Sequence, residues 1–240
     1  MDDGSGKPRR VLLKLSGEIL AGPEGMGFHR ETVYAVAGVL MEAARRRIQV
    51  GVVIGGGNFA RGRDLSAFTR TQADYIGMLA TVMNCLAVSD AIQRHGGKSA
   101  VLSSIPVQEA GAEVYAPGRA LELFASGNTL LFAGGTGNPL LSTDTAAALR
   151  ASQTGCGILY KGTKVDGIYS ADPKTDPGAV RYGSLTYGEV LKRNLRVMDA
   201  ASVAICRDNR LPIVVFDITE PHNFLQILED HSFGTVVEGE

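Results

Sequence analysis

Short runs of apolar residues alternate along the chain with stretches in which apolar residues recur every three or four positions. The first pattern predicts buried strands, and the second predicts amphipathic helices. Strands are predicted at 10–15, 49–54, 98–102, 129–133, 157–160 and 212–217, with a last edge strand near Thr235. Helices are predicted at 31–47, 74–94, 119–125, 144–153, 187–194, 199–209 and 222–230.

This alternation predicts an α/β fold, a mostly parallel open sheet sandwiched between helices. The strands are nearly continuous runs of Val, Ile and Leu, as expected when both faces of the sheet are covered. Thr186 and Glu189 have the spacing of a capping box at the start of the helix at 187–194. No linker, repeat or low-complexity segment divides the chain. We therefore expect one domain over residues 9–240, preceded by a flexible tail at 1–8.

Composition and charge narrow the classes of partner. The 240 residues are 45% hydrophobic and 20% charged, and the formal net charge is −1, so no nucleic-acid partner is expected. The three cysteines are widely spaced and are expected to be reduced core thiols. The longest uncharged stretch, at 75–89, is too short to span a bilayer, and no signal peptide is recognised. We expect a cytoplasmic protein without a membrane partner.

Three of the predicted strands end in glycine-containing turns, at Ser16-Gly17, 55–57 and 134–137. Glycine lets backbone amides approach an anion closely, and the following helix N-terminus adds positive potential. Ligands of such sheets bind outside the carboxyl ends of the strands. The three turns therefore predict a crevice for a large polyanion rather than a coincidence of packing.

Charged residues stand where such a crevice needs them. Lys14 lies in the first apolar strand, where a lysine is costly unless it has a partner, although it could point from the strand end into water. Further basic residues near the same edge are Arg61, Lys161 and Lys164. Candidate carboxylates that orient a lysine or hold Mg²⁺ are Asp144, Asp172 and Asp199. Asp144 is equally compatible with favouring a helix N-terminus.

Several standard phosphate-binding motifs are absent. The chain contains neither GxxxxGK[ST] nor a GxGxxG motif in its first βαβ unit, and it has no protein-kinase HRD or DFG signature. The four histidines lie in predicted loops or at the ends of predicted elements. The chemistry expected at the crevice is phosphoryl transfer, which needs positioning and charge neutralisation more than covalent catalysis.

Six segments carry a resemblance to a known family. The segments VLLKLSGE (11–18), GGGN (55–58) followed by Arg61-Gly62, and KGTKVDGIY (161–169) with Asp172-Pro173 resemble the amino-acid-kinase superfamily. The segments DYIGMLATVMN (74–84) and GGTGNPLLSTDTAAALRA (134–151) resemble the bacterial uridylate kinases in particular, and Val197-Met198-Asp199 fits as well. The resemblance runs from about residue 9 to residue 218.

The resemblance implies an enzyme that transfers the γ-phosphoryl group of ATP reversibly to UMP, with Mg²⁺ bound together with ATP and no metal held by the protein itself. The candidate catalytic residues are Lys14 and Arg61, which would stabilise the transferred charge, together with the carboxylates of Asp144 and Asp199. The implied ATP contacts are Lys14, Leu15, Ser16, Gly17, Gly57, Arg61, Thr163, Tyr169 and Asp172. The implied UMP contacts are Gly56, Asp74, Thr136, Gly137, Asn138, Pro139, Leu140, Leu141, Ser142 and Thr143.

The resemblance also implies a homohexamer that GTP activates and UTP inhibits. The region associated with GTP comprises Gly22, Pro23, Glu24, Gly25, Met26 and Gly27. Two alternatives stay open at the level of sequence. One is a kinase of the same superfamily with a carboxylate acceptor, and the other is a non-catalytic nucleotide-binding or storage protein on the same fold.

Overall fold

The structure, a computed structural model, describes residues 10–60, 65–195 and 197–240. Within these ranges one nine-stranded sheet runs through the molecule. Its strands are β1 (Arg10–Leu15), β2 (Gln49–Ile54), β3 (Ser99–Ser103), β4 (Glu113–Val114), β5 (Thr129–Ala133), β6 (Ile158–Thr163), β7 (Ser184–Leu185), β8 (Ile213–Asp217) and β9 (Gly234–Val237). They lie in the order β4-β3-β5-β2-β1-β6-β8-β9-β7, and among them only the β8–β9 pair is antiparallel. The predicted α/β class with a mostly parallel open sheet is confirmed.

Helices cover both faces of the sheet. They are α1 (Arg30–Arg45), α2 (Arg70–Arg94), α3 (Pro117–Ala125), α4 (Thr143–Gln153), α5 (Tyr187–Lys192), α6 (Ala200–Asp208) and α7 (Asn223–Ile227). In β1, Val11, Leu13 and Leu15 pack into one core with α1, α2 and α7, while Leu12 packs into a second core with α3 to α6. Side chains of a strand alternate between its two faces, so a strand between two helical layers must be apolar on both.

Several predicted boundaries are corrected by the structure. The strand predicted at 157–160 continues to Thr163, so Lys161 lies within β6 and does not follow it. The last strand, β9, is not an edge strand, because it pairs with β8 on one side and with β7 on the other. The strands β4 and β7 were missed, since two residues are too few to show a periodic pattern. Helix α2 begins at Arg70, with Thr69 as its N-cap, four residues before the predicted start.

Helix α2 is long and apolar enough to cross a membrane by length and composition alone. More than half of its most hydrophobic stretch is buried inside the protein, and core helices of soluble proteins meet the same criterion. It packs against α1 and the sheet as a core helix. The carboxyl ends of the parallel strands β1, β2, β5 and β6 lie at one edge of the sheet, together with the turns that follow them.

Candidate active site

Three charged side chains form a cluster at this edge of the sheet. Lys14 and Lys161 occupy paired positions on the adjacent strands β1 and β6. Asp144, in the first turn of α4, lies between them, with Oδ1 2.8 Å from Lys14 Nζ and Oδ2 2.7 Å from Lys161 Nζ. The three side chains are only 12–13% exposed. The alternative that Lys14 points into water is therefore wrong, and its partner is Asp144.

The electrostatics of this cluster follow from one carboxylate shared by two ammonium groups. Burial by itself would raise the pKa of Asp144, but Lys14 and Lys161 hold that pKa below its usual range. Burial lowers the pKa of Lys161, and Lys14 lowers it further, while Asp144 opposes both effects. When all three groups are ionised, the cluster carries one net positive charge in a poorly solvated place, which favours an anion nearby.

Asp199 lies beside this cluster and joins two helices. It is the N-cap of α6 and accepts the Ser202 backbone N–H at 2.8 Å. Its carboxylate also accepts the hydroxyls of Thr145, at 3.1 Å, and of Ser142, the N-cap residue of α4. All these donors belong to the protein, so the observed contacts fix α4 against α6. A direct part for Asp199 in the reaction stays a prediction.

The turns after β1 and β2 touch each other. A Cβ atom added at Gly17 would lie 2.2 Å from the carbonyl oxygen of Gly55, so only glycine fits at this contact. A Cβ atom at Gly56 would lie 2.7 Å from the carbonyl oxygen of Gly77 on α2. Ser16 caps the 3₁₀ segment Gly17–Glu24 that follows β1. Backbone amides of two neighbouring turns are thereby brought to the same edge, as the sequence predicted.

The third turn, at 134–137, has left-handed backbone conformations that favour glycine. Gly134, Gly135 and Gly137 have φ values of +72°, +57° and +82°. The Gly134 N–H donates to Thr81 Oγ1 of α2 at 2.8 Å, which ties the turn to that helix.

A cleft of about 480 Å³ opens between this turn and the N-terminal half of α2. Gly56, Asp74, Thr136, Leu141 and Thr143 line it together with neighbouring residues of α2 and of the segment before it. Asp74 Oδ2 accepts the backbone N–H of Leu140 at 2.8 Å, so the segment at 136–143 closes onto Asp74. Of the ten predicted UMP contacts, five line this cleft. The other five are not among its lining residues, namely Gly137, Asn138, Pro139, Leu140 and Ser142.

A second cleft of about 350 Å³ lies at the ends of β1, β6 and β8. Ser16 and Thr163, both predicted to contact ATP, line it with Lys164. Ile218 and Thr219 line it as well, and sequence reasoning missed them. The position of β8 at the same sheet edge was the available signal, because the residues that follow a parallel strand reach the ligand edge.

Two predicted adenosine contacts lie outside the residues that line this second cleft. Tyr169 donates its hydroxyl to Asp166 Oδ1 at 2.6 Å, and Asp172 accepts the Lys174 backbone N–H at 2.9 Å in an exposed turn. Arg61 lies outside the described residues.

The predicted effector region adjoins the site. Gly22 and Pro23 line the second cleft, and Gly25 ends the 3₁₀ segment in a left-handed conformation. Gly27 exchanges hydrogen bonds with Asn58, since its N–H donates to the Asn58 carbonyl and its carbonyl accepts from Asn58 Nδ2, both at 2.9 Å. The region therefore contacts the turn that follows β2.

Comparison with known proteins agrees with this geometry. The model of the amino acid kinase family matches residues 9–217. A uridylate kinase from Rhodopseudomonas palustris is 48% identical over 233 residues, which cover 96% of this chain and 98% of that protein.

Solved structures of UMP and uridylate kinases are also similar to this chain. The UMP kinase from Bacillus anthracis superposes with a TM-score of 0.92 at 33% identity, covering 97% of this chain and 96% of that one. The UMP kinase from Ureaplasma parvum superposes with a TM-score of 0.91 at 31% identity, covering 96% of this chain and 98% of that one. The uridylate kinase from Archaeoglobus fulgidus superposes with a TM-score of 0.72 at 30% identity, covering 95% of this chain and 99% of that one. The chain therefore belongs to the amino acid kinase family and, within it, to the uridylate kinases.

Proposed function

We propose that this protein is a UMP kinase, which transfers the γ-phosphoryl group of ATP to UMP and forms ADP and UDP. The observation that carries the proposal is the Lys14–Asp144–Lys161 cluster, whose chain neighbours line both clefts. Thr143, next to Asp144, lines the 480 Å³ cleft, and Gly162, next to Lys161, lines the 350 Å³ cleft. A net positive cluster where two clefts approach each other suits a phosphoryl group that passes between two polyanions.

ATP occupies the second cleft in this proposal. The backbone at Leu15, Ser16, Gly17 and Gly57 supplies amides for the phosphates, and Lys14 faces the transferred group. Thr163, which lines this cleft, contacts the nucleoside in this proposal. Contacts from Tyr169 and Asp172 to the adenosine, and from Arg61 to the phosphates, stay predictions from the resemblance.

UMP occupies the first cleft. Asp74 binds the ribose hydroxyls and exchanges its present bond to the Leu140 N–H for them. The phosphate points toward Gly56 and the lysine cluster. Because the second pKa of a phosphate monoester is about 6, UMP is largely dianionic at neutral pH and needs no general base. In-line attack then requires only that the two substrates are held close and aligned.

Mg²⁺ enters as part of the ATP complex. Among the described residues no group of three or more His, Cys, Asp and Glu side chains is placed to hold a metal ion. The carboxylates of Asp144 and Asp199 are engaged by lysine, hydroxyl and amide donors. This donor set fits an ion ligated by phosphate oxygens and water, whose contribution is to neutralise phosphate charge. The protein residues hold the phosphates that carry it.

The remaining properties follow the resemblance. We expect a cytoplasmic homohexamer that GTP activates through the region at 22–27 and UTP inhibits, with no nucleic-acid or membrane partner. Helix α2 supports assembly, because Tyr75, Leu79 and Met83 form an exposed apolar stripe along one face. A second copy of the chain that covered this stripe would remove it from water.

The proposal is tested by measuring ADP release from Mg·ATP with UMP, CMP, AMP, GMP, acetylglutamate and aspartate as separate acceptors. We expect rapid turnover with UMP and little with the others. Turnover only with a carboxylate would reject the UMP site and keep the ATP site. Stoichiometric ATP binding without ADP formation for any acceptor would favour the non-catalytic alternative.

A further inference from the structure

Two buried asparagines form a closed hydrogen-bonded pair behind the glycine turns. Asn58 follows the turn after β2, and Asn84 lies in the middle of α2. Their side-chain amides donate to each other's Oδ1 atoms at 2.9 and 2.8 Å. Both residues are 1% exposed or less, so water does not compete for these groups.

The second hydrogen of each amide is also used. Asn84 Nδ2 donates to the Gly55 carbonyl at 2.7 Å, and Asn58 Nδ2 donates to the Gly27 carbonyl at 2.9 Å. Rotating either amide by half a turn would point its oxygen at a carbonyl oxygen, so the network fixes both orientations. All four amide hydrogens are therefore satisfied, as a buried polar network requires.

The pair also borders the contact between the two turns. A Cβ atom added at Gly17 would lie 2.5 Å from Asn58 Oδ1 and 2.8 Å from Asn84 Nδ2, in addition to the clash with Gly55. The asparagines, the turn after β1 and the turn after β2 thus share one tightly packed point. Because Asn84 belongs to α2, this helix is part of the same contact, and the first half of α2 lines the acceptor cleft.

Packing alone does not call for amides here. Two apolar side chains of similar size would fill the space without needing partners, whereas buried amides cost free energy unless every group is paired. The amides, unlike apolar side chains, hold the backbone in a defined orientation, because each amide donates to one backbone carbonyl. The carbonyls that they fix belong to the Gly55 turn and to the segment that ends at Gly27.

We propose that Asn58 and Asn84 are positioning residues for phosphoryl transfer, an inference that rests on the proposed function. They hold the turn after β2, whose Gly56 lines the acceptor cleft and whose Gly57 is a proposed ATP contact, in register with the turn after β1 and with helix α2. Neither residue lines either cleft. Loss of the pair should therefore misalign the reacting groups, and displacements of about 1 Å can lower turnover about a hundredfold.

The test compares Asn84→Ala with a matched control on the same helix. Ser89 is also buried, and its hydroxyl bonds to that of Ser99 at 2.9 Å, away from both clefts. We expect both Asn84→Ala and Ser89→Ala to lower the melting temperature. Only Asn84→Ala should lower kcat, by about tenfold or more, with the KM for UMP changed by less than about threefold.

Further variants separate the loss of the hydrogen bonds from the effect of the cavity that Asn84→Ala leaves. Asn84→Asp keeps the side-chain volume but replaces the donor to Gly55 by an acceptor, so its kcat should fall at least as far. Because the pair acts as a unit, the double variant Asn58→Ala/Asn84→Ala should lose little more kcat than the worse single variant.

The outcomes separate this inference from the proposed function. Absence of UMP-dependent ADP release by the unmodified protein would reject the proposed function itself. With an active parent, folded Asn84 variants whose kcat stays within about twofold would overturn the positioning role. Equal losses of kcat in Asn84→Ala and Ser89→Ala would overturn it too, since a general structural effect would then suffice.

Discussion

The Lys14–Asp144–Lys161 cluster makes a strong prediction for Asp144→Asn. The substitution keeps the shape of the side chain but removes the carboxylate charge that bridges two ammonium groups, each 12% exposed. Both lysines would stay buried with at best a neutral partner at this position, and the pKa of Lys161 would lose the opposing effect of Asp144. The variant should therefore be much less stable than the parent.

The magnitude follows from the burial of the cluster. Breaking a buried ion pair by removing one partner costs about 3–5 kcal/mol, because an uncompensated charge stays inside. For a protein of this size, 1 kcal/mol corresponds to a shift of about 2–4 °C in melting temperature. We therefore expect Asp144→Asn to lower the melting temperature by about 6–20 °C at neutral pH.

The pH dependence has a defined sign. The folded state holds the pKa of Asp144 below its usual range, so its contribution to stability is complete above the unfolded pKa, near ~3.9. That contribution is lost as pH falls through the lower folded pKa. The difference between parent and variant should be constant near neutrality and shrink in strongly acidic solution.

Thermal unfolding followed by circular dichroism from about pH 2 to pH 8 measures both effects, because the contribution of Asp144 is lost below the unfolded pKa of ~3.9. Glu113→Gln is the matched control, because it removes the carboxylate of the exposed ion pair with Arg119, where Nε and Oε2 are 2.7 Å apart. Exposed pairs contribute little, so the control should shift the melting temperature by less than about 3 °C. A melting temperature for Asp144→Asn within that same range would refute the reasoning.

Three further predictions address the substrates and the scaffold. Lys14→Ala should lower kcat by about a hundredfold or more in the ADP-release assay, because it removes a charge that faces the transferred phosphoryl; wild-type turnover would exclude that role. Asp74→Asn should raise the KM for UMP by about tenfold while the KM for ATP changes less than about twofold, and equal effects on both substrates would contradict a ribose contact. Thr186→Ala breaks the capping box with Glu189 at the start of α5 and should lower the melting temperature by about 2–4 °C without changing kcat. An unchanged melting temperature would show that this cap contributes nothing to stability.

The central architecture was predictable from local patterns. Continuous runs of Val, Ile and Leu identified β1, β2, β5 and β8 almost to the residue, since only strands covered on both faces tolerate them. The glycines after β1, β2 and β5 indicated the ligand edge, because parallel strands end on the same side of a sheet. The ordered motifs around Lys14, Asp74 and Asp144 carried the resemblance to the family.

Short and unpatterned elements were not predictable in the same way. Strands β4 and β7 have two residues each, and their strand conformation comes from the neighbour that they pair with. The central position of β9 depends on β7 lying beyond it, which no local pattern in β9 reveals.

By itself, the sequence determined the class of fold, the edge of the sheet at which the glycine-containing turns meet and the family to which the chain belongs. Tertiary structure alone decided the partners: Asp144 for both Lys14 and Lys161, and Asn84 for Asn58. Periodicity and turn chemistry depend on neighbours within a few positions, so they are legible along the chain. Which buried charge or amide meets which depends on how distant segments pack, and only the folded protein specifies that.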